Sequence, residues 1–445
     1  MIESIQSFFQ RQRPSIPASE YEPLEGGTIG PDGERVEMKH DSGFSWLEYS
    51  IFLLLGASML WAWNMFIAAA NYFKSRFAAD PWILAHYQSA ILSVSTVGNL
   101  GSVLILARLQ ANASYPKRIV VSLLINIIVF TLLALSTSSE LSPGLYLGYV
   151  LTMVFLTSVG TGLCQNGVFA YVAGFREDDY TQGIMTGQAI AGVLPCVAQI
   201  LSVLSVPERD ESEVVLHAQG SSRSAFWYFL TATGVSTFTL AAFVVLMRRC
   251  HARGEAAKRL LGDEQQESKV VVPVWTLLGK LRWLASAVFI CFGVTMVFPV
   301  FTQAILSVHP PSTSPRLFHP SIFTPLSILI WNAGDLLGRL ATLFPRPSPH
   351  PIVLFALSLA RLSFIPLYLL CNIGGRGAAV NSDLFYLAVV QMGFGFTNGW
   401  VGSRSMVTAN KWVEEEEREA AGAFMATVLV VGLSAGSLLS FCIVL

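Results

Sequence analysis

Long apolar runs recur along almost the whole chain, and they restrict its fold more than any other feature of the sequence. Roughly twenty apolar residues are enough for one helix to cross a bilayer. The runs therefore predict an all-α, polytopic membrane protein with eleven transmembrane helices. The predicted spans lie near residues 47–72, 83–107, 118–138, 145–173, 183–206, 225–247, 283–308, 321–344, 351–372, 384–409 and 420–443.

The composition agrees with a membrane protein and excludes several other classes. Hydrophobic residues make up 53% of the chain and charged residues only 13%, whereas soluble domains carry about 25% charged residues. A net charge of −1 gives no indication of a nucleic-acid partner. The six cysteines are scattered, and they form neither a disulfide framework nor a metal-binding spacing. No catalytic constellation or phosphate-binding loop is present, so the sequence predicts neither an enzyme nor a cofactor.

The chain divides into a tail, two predicted helix bundles and a linker. Residues 1–45 are polar and rich in Pro, Gly and Glu, which predicts a disordered cytosolic tail. Six spans lie in 46–247 and five lie in 283–445, separated by a predicted cytosolic linker at 248–282. Basic residues concentrate in alternate loops, and this bias predicts a cytosolic N-terminus.

Polar residues inside the spans are the candidate binding residues. Amide and charged groups in hydrocarbon need partners, which are supplied either by the protein or by a ligand. An indole ring among them can stack on a planar ligand. The candidates are Trp63 and Asn64 in the first span, Gln165 in the fourth, Asn332, Asp335 and Arg339 in the eighth, and Asn398 in the tenth.

Asp335 and Arg339 are the most informative of these residues. Each charge alone would cost about 2.5–3.5 kcal/mol at the centre of a membrane, but residues four apart share a helix face, so the acid and the base can meet. The pair can lock helices together, or it can recognise a ligand. A carboxylate accepts hydrogen bonds from hydroxyls and a guanidinium donates in a fork. Together with a Trp and a Gln, such a pair suits a neutral ligand that is flat at one end and hydroxylated at the other, as a nucleoside is.

Five short segments carry recognisable motifs: Trp63–Phe66, Tyr180–Gly192, Trp331–Arg339, Thr397–Trp400 and Ala420–Met425. They resemble motifs of the equilibrative nucleoside transporters, in the order in which that family carries them. The eighth-span segment resembles the Asn-x-x-Asp-x-x-Gly-Arg motif, and the first-span segment resembles a Pro-Trp-Asn signature in which Ala62 replaces Pro. The short first outer loop and compact central loop are most similar to fungal members.

The resemblance implies a function and a site. It implies a major-facilitator-like 6+5 arrangement, with six helices in the first bundle and five in the second. It also implies that the protein moves nucleosides across the lipid bilayer by facilitated diffusion with alternating access, and nucleobases are further candidate substrates. Trp63 would contact the base and Gln165 its edge, while Asp335 and Arg339 would bind the ribose hydroxyls. Leu60 and Met65 would help to shape the cavity. Arg404 departs from the family pattern, in which a small or apolar residue is expected.

Two other functions and the location stay open at this point. A facilitator-type transporter of sugars or other small polar solutes would share the architecture, and a non-transporting nutrient sensor would share the binding site. The sequence Tyr21-Glu22-Pro23-Leu24 matches a tyrosine-based sorting signal, which makes a sorting adaptor a candidate partner. The vacuolar (endolysosomal) membrane and the plasma membrane are both candidate locations.

Overall fold

The computed structural model describes residues 44–109, 113–175, 178–205, 214–261, 272–310, 314–344 and 349–440. Apart from Phe44 and Ser45, the predicted tail at 1–45, with the Tyr21–Leu24 motif, lies outside these residues. The described helices are α1 (Trp46–Ala68), α2 (Ala70–Phe77), α3 (Pro81–Arg108), α4 (Tyr115–Ser136), α5 (Pro143–Ala173), α6 (Asp178–Ser205), α7 (Val214–Leu261), α8 (Val274–Thr295), α9 (Val297–Ala304), α10 (Pro320–Leu340), α11 (Pro351–Ala360), α12 (Phe364–Leu369), α13 (Gly393–Ala409) and α14 (Arg418–Ser440), with a π-helical segment at Phe385–Met392 before α13.

Prolines mark where several helices begin and where α8 gives way to α9. Asp80 caps α3 by accepting hydrogen bonds from the backbone N–H groups of Trp82 and Ile83, at 3.0 and 3.1 Å, and Pro81 occupies the first turn, where its missing N–H costs nothing. Pro299 cannot donate to the carbonyl of Thr295, and α8 ends at that residue. The missing hydrogen bond accounts for the break between α8 and α9.

The described helices confirm an all-α, membrane-spanning fold. Among the described residues, eight candidate spans are long and apolar enough to cross a bilayer; two of them join α8 with α9 and α11 with α12. Helices α6, α10 and α13, which correspond to the fifth, eighth and tenth predicted spans, are not among those eight. All three pack against other helices and bury polar residues, for example Gln188, Asp335 and Asn398. The count of eleven spans therefore stays a prediction.

Two helices extend into the region that the sequence assigned to a linker at 248–282. Helix α7 continues to Leu261, and α8 already begins at Val274. Charged residues mark the end of an apolar run without ending a helix, because Glu, Lys, Arg and Ala all favour helical backbone. Residues 262–271 lie outside the described part of the chain.

The helices form two groups, and a small number of helix pairs connect one group to the other. Helices α1 and α3 to α7 contact one another, as do α8, α10, α11, α13 and α14. Between the groups, α6 packs on α10, and α14 packs on α5 and α3. Several polar residues on these facing surfaces are buried between the two groups, among them Gln182, Gln188 and Arg339.

Helices α10 and α13 cross with their backbones in contact. A Cβ atom added to Gly338 would lie 2.1 Å from the Phe396 carbonyl oxygen, and one added to Gly399 would lie 2.0 Å from the Asp335 carbonyl oxygen. Gly334 and Gly395 make the same kind of contact one turn away. Small residues four apart allow such close approach in membrane helices, and this crossing places Asp335 directly beside α13.

We expect Gly399→Ala to destabilise the protein by about 1–3 kcal/mol, because the added methyl group forces apart two packed backbones. Gly148→Ala in α5 is the matched control, because a Cβ atom at Gly148 would meet nothing within 4 Å. There the substitution should be neutral or slightly stabilising, since Ala favours a helix by roughly 0.5–1 kcal/mol over Gly. Thermal unfolding of both variants in detergent checks this, and equal effects would contradict the close crossing.

Candidate functional site

A cavity of about 260 Å³ lies among α1, α3, α5 and α14, with Met296 at its boundary. This volume is close to the lower end of ordinary ligand sites, which run from roughly 300 to 1,000 Å³. Every residue that lines the cavity is uncharged. Because helices from both groups form its wall, the cavity lies where a rocking motion of one group against the other would change its access.

Three predicted site residues line this cavity together: Leu60, Trp63 and Gln165. Leu60 and Trp63 lie three residues apart on α1 and so share one face of that helix. Gln165, on α5, is only 4% exposed, and its Oε1 atom is buried without a hydrogen-bond partner in the described part of the chain. The cavity therefore combines an indole ring, an apolar wall and an amide oxygen that is able to accept a hydrogen bond.

Asn64 and Met65 lie off the cavity, although they follow Trp63 directly. Asn64 donates through Nδ2 to the Ala191 carbonyl of α6 at 2.7 Å. Met65 is buried in the apolar core, where its sulfur accepts a hydrogen bond from Thr231 at 3.3 Å. Successive residues of a helix point about 100° apart, so of Trp63, Asn64 and Met65 only Trp63 faces the cavity.

Asp335 and Arg339 form the predicted pair, with 2.8 Å between Oδ2 and Nε. They are 3% and 4% exposed, respectively. The second carboxylate oxygen of Asp335 accepts from Nδ2 of Asn398 at 2.7 Å, and Asn398 in turn accepts from the Thr295 hydroxyl at 2.7 Å. These groups form a hydrogen-bonded network, and none of them lines the cavity.

Arg339 also reaches across to the other group of helices. Its Nη1 atom donates to the Met185 carbonyl at 2.6 Å and to Oε1 of Gln188 at 3.3 Å, while Gln182 donates to the carbonyl of Arg339. Close to this contact, Asn332 of α10 is half-buried against Gly192 of α6. In this conformation the acid–base pair thus holds α10 against α6.

Arg361 belongs to the same network and was missed by the sequence analysis. Its side chain is 1% exposed, donates to the Cys291 carbonyl at 2.5 Å and to the Thr295 hydroxyl at 3.2 Å, and lies over the Phe394 ring at 4.7 Å. In the sequence Arg361 is a charged residue inside an apolar run, which is the same pattern that identified Arg339.

Arg404, the departure from the family pattern, is also inside the protein. Only 8% of its side chain is exposed, and Nη2 donates to the Phe344 carbonyl at 3.3 Å. The arginine therefore joins the end of α13 to the segment that follows α10.

The helical layout is that of a polytopic membrane protein with a cavity between its helices. Two solved structures share the fold. One is the major facilitator superfamily transporter FucP in the outward conformation, with a TM-score of 0.58 and 13% identity over 89% of this chain and 95% of that one. The other is the proton:xylose symporter XylE, with a TM-score of 0.59 and 10% identity over 88% of this chain and 86% of that one.

The family follows from sequence comparison. The family model described as nucleoside transporter matches residues 151–269 and 251–445. The chain is 30% identical to the nucleoside transporter FUN26 of Saccharomyces cerevisiae, over 89% of this chain and 84% of that protein. It is 29% identical to equilibrative nucleoside transporter 1 of Homo sapiens, over 88% of this chain and 95% of that protein. The chain belongs to the nucleoside transporter family, whose members are membrane transporters and not enzymes.

We expect Asp335→Ala to cost about 3–5 kcal/mol of stability, because it leaves a buried guanidinium without its carboxylate. The double change Asp335→Leu with Arg339→Met should recover most of this loss, since both charges are then removed. Lys411→Ala is the control for an exposed pair: Lys411 lies 3.0 Å from Asp178 with half of its side chain exposed, and its removal should cost about 0–1 kcal/mol. Thermal unfolding of the purified variants measures all three, and a double variant no more stable than Asp335→Ala would contradict the pairing.

Proposed function

We propose that this protein carries nucleosides across a membrane down their concentration gradient. The observation that carries the proposal is the pairing of Trp63 with the unpartnered amide oxygen of Gln165 in one uncharged cavity. A base has a flat face for the indole and edge N–H groups for the amide. The relatives are named nucleoside transporters, which supports the same substrate class.

Within this proposal each cavity residue has a distinct role. Trp63 stacks on the base, which every nucleoside offers alike. Gln165 hydrogen-bonds the base edge, where bases differ from one another, and Leu60 supplies an apolar wall. The lining carries no cation, and a phosphate group needs charge-assisted partners. The cavity therefore favours nucleosides, and nucleobases after them, over nucleotides.

Transport in this proposal proceeds by rocking of the bundle at 46–247 against the bundle at 283–445. The hydrogen bonds from Arg339 to Met185 and Gln188 join α10 to α6, so they break when these helices separate. The Nη1 atom of Arg339 then becomes free to bind a sugar hydroxyl. The Asp335 carboxylate, which stays bonded to Arg339 and Asn398, accepts from a second hydroxyl, with Asn332 one turn earlier on α10 and Asn398 on α13 beside it. The charge pair closes the pathway in one state and binds substrate in another, without a need for a coupled proton.

The membrane that holds the protein is a further part of the proposal. The Tyr21–Leu24 motif in a cytosolic N-terminal tail recruits a sorting adaptor that directs the protein to the vacuolar (endolysosomal) membrane. Tyr21→Ala should then shift a fluorescently tagged protein toward the plasma membrane. Unchanged localisation of this variant would remove the motif from the proposal and leave transport untouched.

Counterflow uptake of labelled adenosine or uridine by proteoliposomes tests the transport itself. The wild-type protein should exchange nucleosides without ATP. Trp63→Ala should weaken the apparent affinity for all nucleosides by about 5- to 150-fold, since stacking on a base is worth roughly 1–3 kcal/mol. Gln165→Ala should instead change the ranking among bases.

Trp227→Ala is the matched control for the tryptophan, because Trp227 is 54% exposed on α7 and lies outside the cavity. It should keep wild-type affinities. Binding without counterflow would favour a nutrient sensor, and exchange of sugars without nucleosides would favour the other transporter class; either result would overturn the proposal.

A further inference from the structure

Asn99 on α3 lines the same cavity as Trp63 and Gln165. Its Oδ1 atom is buried and has no hydrogen-bond partner among the residues that the structure describes. An amide oxygen is an acceptor with two lone pairs, and a buried acceptor without a donor is destabilising. Asn99 and Gln165 thus give the cavity two separate amide oxygens to which a ligand can donate a hydrogen bond.

Three hydroxyl groups of the cavity wall already donate to backbone carbonyls of their own helix. Ser158 donates to the Val154 carbonyl at 2.7 Å, Thr161 donates to the Thr157 carbonyl at 2.9 Å, and Thr157 donates to the Val154 carbonyl at 3.1 Å. The amide oxygens of Asn99 and Gln165 differ from these hydroxyls in having no hydrogen-bond partner among the described residues.

Close packing of α3 on α5 sets the separation of the two amides. A Cβ atom on Gly98 would lie 3.1 Å from Cβ of Ser158, and one on Gly162 would lie 2.0 Å from Oγ of Ser102. The two helices are thus parallel, and Asn99 lies level with residue 159. At 1.5 Å per residue, Gln165 lies about 9 Å further along the helix axis. This separation is comparable with the length of a nucleoside from the far edge of its base to its sugar hydroxyls.

We propose that Asn99 is a further specificity-determining residue, which accepts a hydrogen bond from a sugar hydroxyl of a nucleoside whose base lies at Trp63 and Gln165. The proposal rests on the proposed function and refers to the conformation described here. It makes the sugar a recognised group in the cavity itself, independently of the Asp335–Arg339 pair.

The test compares the full-length wild-type protein with Asn99→Ala in proteoliposomes. Competition against labelled adenosine gives the apparent affinities of 2′-deoxyadenosine, 3′-deoxyadenosine and 5′-deoxyadenosine. In the wild type, the analogue that lacks the contacted hydroxyl should bind about 2- to 13-fold more weakly than adenosine. In Asn99→Ala this preference should fall to nearly one, while the preferences for the other two hydroxyls persist.

Asn126→Ala is the matched control. Asn126 on α4 is also a buried amide whose Oδ1 has no partner, but it does not line the cavity, so its removal should leave all three preferences unchanged. Asn99→Ser provides a second variant that keeps a small polar group too short to make the contact, and it should behave as Asn99→Ala does.

The outcomes separate this inference from the proposed function. If wild-type protein exchanges adenosine but both Asn99 variants keep the wild-type preferences, or if the wild type does not discriminate among the three analogues, the role of Asn99 is overturned and transport stands. If folded wild-type protein exchanges no nucleoside, both proposals are overturned together.

Discussion

The Asp335 carboxylate holds together the polar centre of the second group of helices. It accepts hydrogen bonds from Arg339 and Asn398, and Thr295 links Asn398 to the fully buried Arg361. Burying a guanidinium is expensive unless its charge is compensated and its N–H groups are bonded. One carboxylate and a set of backbone carbonyls meet this demand here, and the backbone crossing of α10 and α13 makes their approach possible.

The buried charged side chains lie away from the cavity. The acid and the arginines lie in the contacts between helices, whereas the cavity wall consists of apolar, hydroxyl and amide groups. A neutral solute can enter such a cavity without a charge to neutralise, and hydrogen bonds rather than ion pairs then decide which solute binds. The charged network instead stabilises particular contacts between helices, above all that between α6 and α10.

Local helical geometry explains which parts of the site could be predicted. The meeting of Asp335 with Arg339 follows from a spacing of four residues, which holds on any helix. Trp63 and Gln165 were identified as an aromatic ring and an amide within apolar runs, and both line the cavity. Arg361 carried the same kind of signal and was overlooked, whereas Asn99 resembled the ordinary polar residues of membrane helices.

The sequence by itself determined that the chain is helical, crosses a membrane and belongs with nucleoside transporters, because hydropathy, helix periodicity and short motifs are local properties. It also determined that the charges of α10 would pair. Only the tertiary structure decided that Gln165 and Asn99 share a cavity while Asn64, Met65 and Asn398 bond to other helices. That choice depends on how each helix is rotated about its axis and on close contacts such as Gly98 against Ser158, which are set by packing between segments far apart in the chain.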